Sequence, residues 1–381
     1  MLKPIKSMSE KAFALNSSYV IDGIRQELTP AQILDALTEN ASAVRSAGSS
    51  GVTIVDETVD PEVRSSEPAR KDAGEYLPLV LSAVRRLPLF CMDSYTRCRI
   101  ASSLIDAIWR RGHFRLGDLL LDVHWRWNEK PVGAMAAFYD SVKAAADYVD
   151  SLDLRFSRCR YTRTSGPASV NFKAVLAGDE PDDEAIAAEA ARTDEARMKS
   201  GRICPDTFAP DGRSWIIYVP FDSSDYRLGG SLLAQELGLG GAAPQIGDAD
   251  YFLDCHEVVR EFAEDGLLLS AATVGEGGLL AAAGRLAQKG VGAGLDISDL
   301  LRASGETNAA KVLFAEIPGA LIQIRDSDFD YVDAELLLQD VAYFPLGHPD
   351  PGSRRVTVAA SAKTRIQTIL ESLMQNAEGE D

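Results

Sequence analysis

The sequence has no excess of positive charge. Its 39 Lys and Arg stand against 57 Asp and Glu, for a net charge of −18. Phosphate backbones and anionic headgroups repel so acidic a chain, which argues against non-specific binding to nucleic acid or to a membrane. A nucleotide ligand is not excluded, because it needs only a local positive field. No stretch approaches the roughly 20 apolar residues of a membrane span. The first twenty residues lack the apolar run of a signal peptide. Cysteine is scarce: Cys91, Cys98, Cys159, Cys204 and Cys255, with no CxxC pair and no Cys/His cluster at zinc spacing. These read as reduced, partly buried thiols of a cytoplasmic protein. The four histidines (His113, His124, His256, His348) lie far apart. Cys255-His256 alone sets a thiol beside an imidazole. Adjacent helix residues point in different directions, so the pair is a weak nucleophile candidate. His124, beside Trp125 on an apolar run, reads as a core residue.

What is present is an ordinary globular composition, 46% apolar and 25% charged over 381 residues, enough for two domains. Residues 1–75 are expected to be an extension and linker. Within them Thr29–Leu37 reads as a short helix capped by Thr29 with Pro30 in its first turn. Ser46–Lys71, rich in Ser, Gly, Pro and charge, reads as a mobile linker with one β-like run at Val52–Val55. Residues 76–200 form a first domain: helices over Tyr95–Arg111 and Val132–Leu152, and a buried strand at Leu116–Trp125. It ends in the acidic, alanine-rich stretch Asp179–Lys199, read as a solvated helix, a linker or an anion-repelling surface. Residues 201–360 form a second domain. Strands are expected at Trp215–Val219, Leu267–Ala271, Ala320–Ile324 and Tyr343–Leu346, with helices at Gly229–Leu237, Phe252–Ala263 and Gly278–Gln288. Residues 361–381 are a helix and acidic tail. The fold class is therefore α/β with mixed sheets (α+β character).

The stretches that carry chemistry are glycine turns next to helices. They lie in Tyr226–Gln235 (YRLGGSLLAQ) and Ser270–Gly294 (SAATVGEGGLLAAAGRLAQKGVGAG), followed by Leu313–Ala320 (LFAEIPGA). Glycine at a strand-to-helix junction permits positive φ and close approach, and the freed amides at a helix start attract anions. Gly229, Gly230 and Ser231, and likewise Gly277 and Gly278, can cradle a phosphate. Alternatively, the glycines only allow a tight turn.

In this order these blocks resemble the C-terminal domain of the aminoimidazole-ribonucleotide-synthetase-like (PurM-like) superfamily, and in particular the second half of phosphoribosylformylglycinamidine synthases. Asp93-Ser94-Tyr95, Leu121–Trp125 and Pro131–Asp147 resemble the N-terminal domain that precedes it. The resemblance implies two PurM-like domains. It also implies ATP and Mg2+ as cofactors, ATP-dependent C–N ligation in purine biosynthesis, and a homodimer or a complex with a partner subunit.

The departures bear on that chemistry. The histidine-aspartate pair expected before the second turn is replaced by Ala272-Thr273-Val274, leaving Glu276 as the acid. The family's glycine-lysine-aspartate-serine loop aligns with Cys159–Thr162, where Arg160 keeps a positive charge and Tyr161 replaces a metal-ligating aspartate. Asp122, Glu276 and Glu316 remain as oxygen ligands for a metal, or serve as capping and surface carboxylates. Arg155, Arg158, Arg160 and Arg163 form a basic run suited to phosphate or an acidic partner, or merely a solvated strand edge. Two readings follow from the resemblance. One is a ligase subunit supplied with ammonia by a partner. The other is a pseudoenzyme that keeps the fold, and with it a nucleotide pocket, without turnover.

Overall fold

In the computed structural model, residues 13–38, 52–61, 65, 67–69, 72–110, 114–176, 202–287 and 290–360 are described. His113, the acidic stretch 179–199 and the tail 371–381 lie outside them, as does part of the region read as a linker.

The strands are β1 (Ser18–Ile21), β2 (Ile24–Arg25), β3 (Thr53–Asp56), β4 (Leu119–Trp127), β5 (Arg155–Arg163), β6 (Ser169–Leu176), β7 (Trp215–Pro220), β8 (Leu268–Val274), β9 (Gly292–Asp296), β10 (Gly319–Ile324), β11 (Phe344–Asp350) and β12 (Val356–Ala359). The helices are α1 (Phe13–Asn16), α2 (Pro30–Asp35), α3 (Leu77–Ser82), α4 (Met92–Ile108), α5 (Ala134–Ser151), α6 (Leu232–Leu237), α7 (Ala249–Glu264), α8 (Gly278–Leu286), α9 (Ser298–Ser304), α10 (Ala309–Phe314) and α11 (Phe329–Leu338).

Among the described residues three sheets result, ordered β2-β1-β3, β5-β4-β6 and β12-β9-β11-β7-β10-β8. All three mix parallel and antiparallel pairs. The long helix α5 links β4 to its parallel neighbour β5, as parallel pairing requires a crossover.

In the six-stranded sheet, alternation sorts side chains to two cores. Ile217 and Val219 of β7, with Ala320, Ile322 and Ile324 of β10, face the core that includes α4, α5, α7 and the β5-β4-β6 sheet. Ile216, Tyr218 and Leu321 face the core built on α3, α6, α8 and α10. The period-2 strand thus buries both faces. Helix α4 belongs to the first core and contacts α5, β6, α7 and β8, so it joins the two sheet systems.

The early part of the chain is more structured than its composition suggests. Thr53–Asp56, inside the stretch read as linker, pairs in parallel with β1. Asp56 then reaches the start of α5: its carboxylate accepts from the N–H groups of Gly133 (3.1 Å), Met135 (2.5 Å) and Ala136 (2.8 Å). A carboxylate there satisfies orphan amides and complements the helix dipole. Thr29 caps α2 in a capping box with Gln32, as the TPAQ pattern predicts.

Candidate functional site: a crevice filled by its own charges

The two glycine turns and Glu316 converge on one crevice, walled by the first half of α4 and by the 83–91 segment that precedes it. The first turn is shaped by close approach. A Cβ on Gly229 would stand 2.3 Å from the Gly241 carbonyl oxygen, and Gly230, at φ +77°, would meet Cys91 Sγ at 2.8 Å. Ser231 is buried and spends its hydroxyl as the cap of α6, accepting from Ala234 N–H at 3.2 Å. In the second turn Gly277 (φ +82°) and Gly278 (φ +75°) lie in the left-handed region, and a Cβ on Gly278 would clash with the Leu313 carbonyl and Phe314. Helix packing alone therefore requires these glycines.

Several amides of both turns have protein partners. Gly229 N–H donates to Ala242 O, Ser231 N–H to Leu228 O and Gly278 N–H to Gly275 O, at 2.8–2.9 Å. Glu316 Oε1 accepts from Leu232 N–H at 2.8 Å and from Gly277 N–H at 3.0 Å. One carboxylate thus sits at the starts of α6 and α8 together, in the position a bound anion would take.

Arg85 completes the arrangement. Its guanidinium donates to Glu316 Oε2 in a short contact and to the Gly230 carbonyl at 2.7 Å. Its Nε lies 3.8 Å from Glu276 Oε2, and the group stacks 5.6 Å from the Tyr95 ring centre. Burial works to lower the Arg85 pKa, but Glu316 and Glu276 together hold it above its ordinary value. Glu276 Oε2 also receives Arg99 Nη1 at 2.9 Å. The space left between Cys91, Tyr95, Cys98, Arg99, Gly230 and Glu316 is about 20 Å³, roughly the room one water needs. Burial, followed by Asp93, pushes the Cys91 thiol up to about 12, so it is neutral here.

Where the sequence departs from the family pattern, Thr273 accepts from Trp109 Nε1–H at 2.9 Å and donates to Asp106 of α4. Gly275 lies under Ser102, whose Oγ would be 2.6 Å from an added Cβ. Both contacts join α4 to the second sheet system.

Glu276 and Glu316 thus meet at Arg85, whereas Asp122 and Arg160 lie on the open face of the β5-β4-β6 sheet. Asp122, 6% exposed, accepts from Arg158 Nη2 at 2.7 Å and from Arg160 Nη2 at 3.0 Å. The neighbouring residues follow from register: Asp122 opposes Arg158 and Lys173, and His124 opposes Arg160 and Asn171. His124 therefore faces away from Trp125, half-exposed, and bonds Thr162 at 2.9 Å. Burial, then Arg160, lowers its pKa.

A divalent ion does not fit the three carboxylates. Among the described residues, no group of three His, Cys, Asp or Glu side chains is placed to hold one. The two that meet are already neutralised by guanidinium groups. Cys255 and His256 are both fully buried. Burial raises the thiol to about 12 and lowers the imidazole to about 4, so neither is charged at neutral pH. Sequence reasoning missed Arg85. Its signal was only an Arg-Arg pair before a proline, in a stretch without resemblance to the family.

Comparison with known proteins gives partial likenesses. Residues 218–334 match the model described as AIR synthase related protein, C-terminal domain. Human phosphoribosylformylglycinamidine synthase is 26% identical over 252 residues, which is 66% of this chain and 18% of that protein. The chain therefore spans under a fifth of that relative's length. Among solved structures, PurLQS from Thermotoga maritima is 12% identical with a TM-score of 0.45, covering 70% of this chain and 39% of that one. Hydrogenase maturation protein HypE from E. coli is 12% identical with a TM-score of 0.43, covering 71% and 77%. No described helix is long and apolar enough to cross a membrane. Over residues 218–334 the chain is thus similar to the AIR-synthase-related C-terminal domain family.

Proposed function

We propose that this chain is a phosphoribosylformylglycinamidine-synthase-like protein whose ATP and metal site has degenerated, with little or no ligase activity alone. It serves as a binding or assembly subunit in the cytoplasm, as a homodimer or with a partner subunit. The observation that carries this reading is Glu316: its carboxylate takes the anion's place at both helix starts, while Arg85 takes the cation's place beside it. Phosphoryl transfer depends on positioning and on neutralising developing charge. Here the charges that would do so neutralise each other, in a crevice with about 20 Å³ of space.

The test is calorimetric titration of ATP with and without Mg2+, followed by an assay of formylglycinamide ribonucleotide with ATP and ammonia. The scaffold reading expects no magnesium-dependent binding and no ADP release. Micromolar, magnesium-dependent binding with turnover would establish the alternative, an active ATP-dependent amidine-forming ligase subunit working with a separate partner or glutaminase. Homodimerisation is tested by light scattering at micromolar concentration, where a monomer would refute it.

A further inference from the structure

We infer that the open face of the β5-β4-β6 sheet is the docking surface for an acidic partner protein, which lays across it an extended segment with carboxylates on alternate residues. The inference rests on the part of the proposed function that gives the chain a partner, and it does not depend on whether the protein binds ATP.

Register and the period of two collect the face. Asp122, His124 and Arg126 of β4 alternate with the core residues Val123, Trp125 and Trp127. Asp122 lies between Arg158 and Lys173, His124 between Arg160 and Asn171, and Arg126 between Thr162 and Ser169. Arg126, Arg158, Arg160 and Lys173 thus share one face with a single carboxylate, in a chain whose net charge is −18. Asp122 holds two of these cations in place. Its Oδ2 accepts from Arg158 Nε at 3.2 Å and Nη2 at 2.7 Å, and its Oδ1 accepts from Arg160 Nη2 at 3.0 Å. Guanidinium groups ordered in advance lose less freedom when a partner's carboxylates arrive. The field of the face already acts on His124: burial first, then Arg160 and Arg126, lower its pKa.

The shape of the face selects the occupant. Arg158 and Arg160, two residues apart on β5, are separated by about 7 Å along the strand, and alternate side chains of an extended peptide recur at that same spacing. From Ser169 to Lys173 and across three strands, the face measures roughly 10 Å by 14 Å. That is well below the roughly 800 Å² per partner of a standard interface, so it suits one segment rather than a whole second copy. A two-fold pairing of copies would also set the same cations against each other. A nucleic acid duplex carries a charge at about every 1.7 Å of its axis and would run past the face onto the acidic remainder of the chain. A short acidic segment avoids that repulsion.

The test measures binding of a fluorescent peptide of Glu-Thr repeats to the full chain by anisotropy at low salt. Wild type is expected to bind it saturably, and added salt to weaken the binding. Arg126→Glu with Lys173→Glu should weaken it at least about tenfold. Arg126→Glu alone, at an exposed position, is the milder variant and should weaken it about threefold or more. Arg354→Glu, at an exposed position beside β12, makes the same change of net charge as Arg126→Glu and should leave binding unchanged. No saturable binding by wild type would overturn the inference, as would an equal loss in Arg354→Glu. Equally tight binding of a thymidine oligonucleotide of the same charge would overturn it in favour of nucleic acid. A wild-type dimer in light scattering that the double variant converts to monomer would overturn it in favour of a second copy. Because no nucleotide cofactor is used, ATP turnover by wild type would refute the scaffold reading and leave this comparison standing.

Discussion

Asp56 Oδ2 accepts the Ala136 N–H at 2.8 Å, joining residues 80 apart in sequence. The same carboxylate takes Gly133 and Met135, so one side chain from β3 caps the 18-residue helix α5. Gly133, the residue at the cap position itself, has no side chain to do so. Asp56→Ala should destabilise the protein by about 1–2 kcal/mol, and Asp56→Asn by less, because its amide oxygen still accepts. Urea unfolding of the three proteins checks the order, and an Ala variant as stable as wild type would refute the capping role.

Glu316 offers a similar separation of shape from charge. Glu316→Gln keeps an oxygen for Leu232 and Gly277 but strips Arg85 of its closest counter-charge. Glu316→Ala loses both. Leaving a buried charge unpaired typically costs about 3–5 kcal/mol, and unmet amides add about 1–3 kcal/mol. The expected stability order is wild type, Gln, Ala, read from chemical denaturation. Equal losses would mean that the amide contacts contribute nothing.

Two groups whose pKa values are shifted by burial act in opposite directions on acidification. Burial, then Asp93, raises Asp140 from 3.8 to about 6. The folded state holds a proton there that the unfolded chain has released, so this group costs stability at neutral pH and that cost is relieved as pH falls through about 6. Burial lowers His256 from 6.5 to about 4. The unfolded chain binds that proton first, so His256 subtracts stability as pH falls from 6.5 towards 4. Asp140→Asn should stabilise the protein at pH 7 by about 1–2 kcal/mol, discounted because the side chain reaches solvent. It should also steepen the loss of stability between pH 6.5 and 4. Urea midpoints across that range check both, and a variant with an unchanged slope would remove Asp140 from the account.

Thiol labelling tests the Cys255-His256 pair. Cys255 is fully buried, its Sγ lies 3.7 Å from the Pro220 carbonyl, and burial pushes the thiol up to about 12. An activated nucleophile needs a thiolate near neutral pH. Native protein should therefore leave Cys255 unlabelled by an aromatic disulfide reagent at pH 7, whereas urea-unfolded protein should label it fully. Rapid native labelling at Cys255, located by peptide mapping, would revive it as a nucleophile.

Much of the fold was legible. The apolar periods of Tyr95–Arg111, Val132–Leu152 and Phe252–Ala263 correspond to α4, α5 and α7, because a helix that buries one face must repeat near 3.6. Dense runs such as Trp215–Val219 became central strands, since a sheet covered on both sides needs apolar residues at every position. The basic run 155–163 was legible only as one of several alternatives. Its alternation of Phe156, Cys159 and Tyr161 with arginines marks β5, but a register shift next to Asp122 breaks the simple period. His124 was misplaced because its apolar neighbours suggested a core position, whereas period 2 sets it on the opposite face from Trp125.

Sequence by itself determined the order of helices and strands, the acidic balance, and the glycines, because these follow from local conformational preference and from periods of two and 3.6. Tertiary structure decided what those glycines are for. Whether a helix start holds a ligand or a side chain depends on which distant residue folds back onto it, and no local pattern encodes that. Glu316 reaches Leu232 across 84 residues, and Arg85 reaches Glu316 across 231. That long-range meeting of charges fills the crevice that the glycine turns alone would leave open.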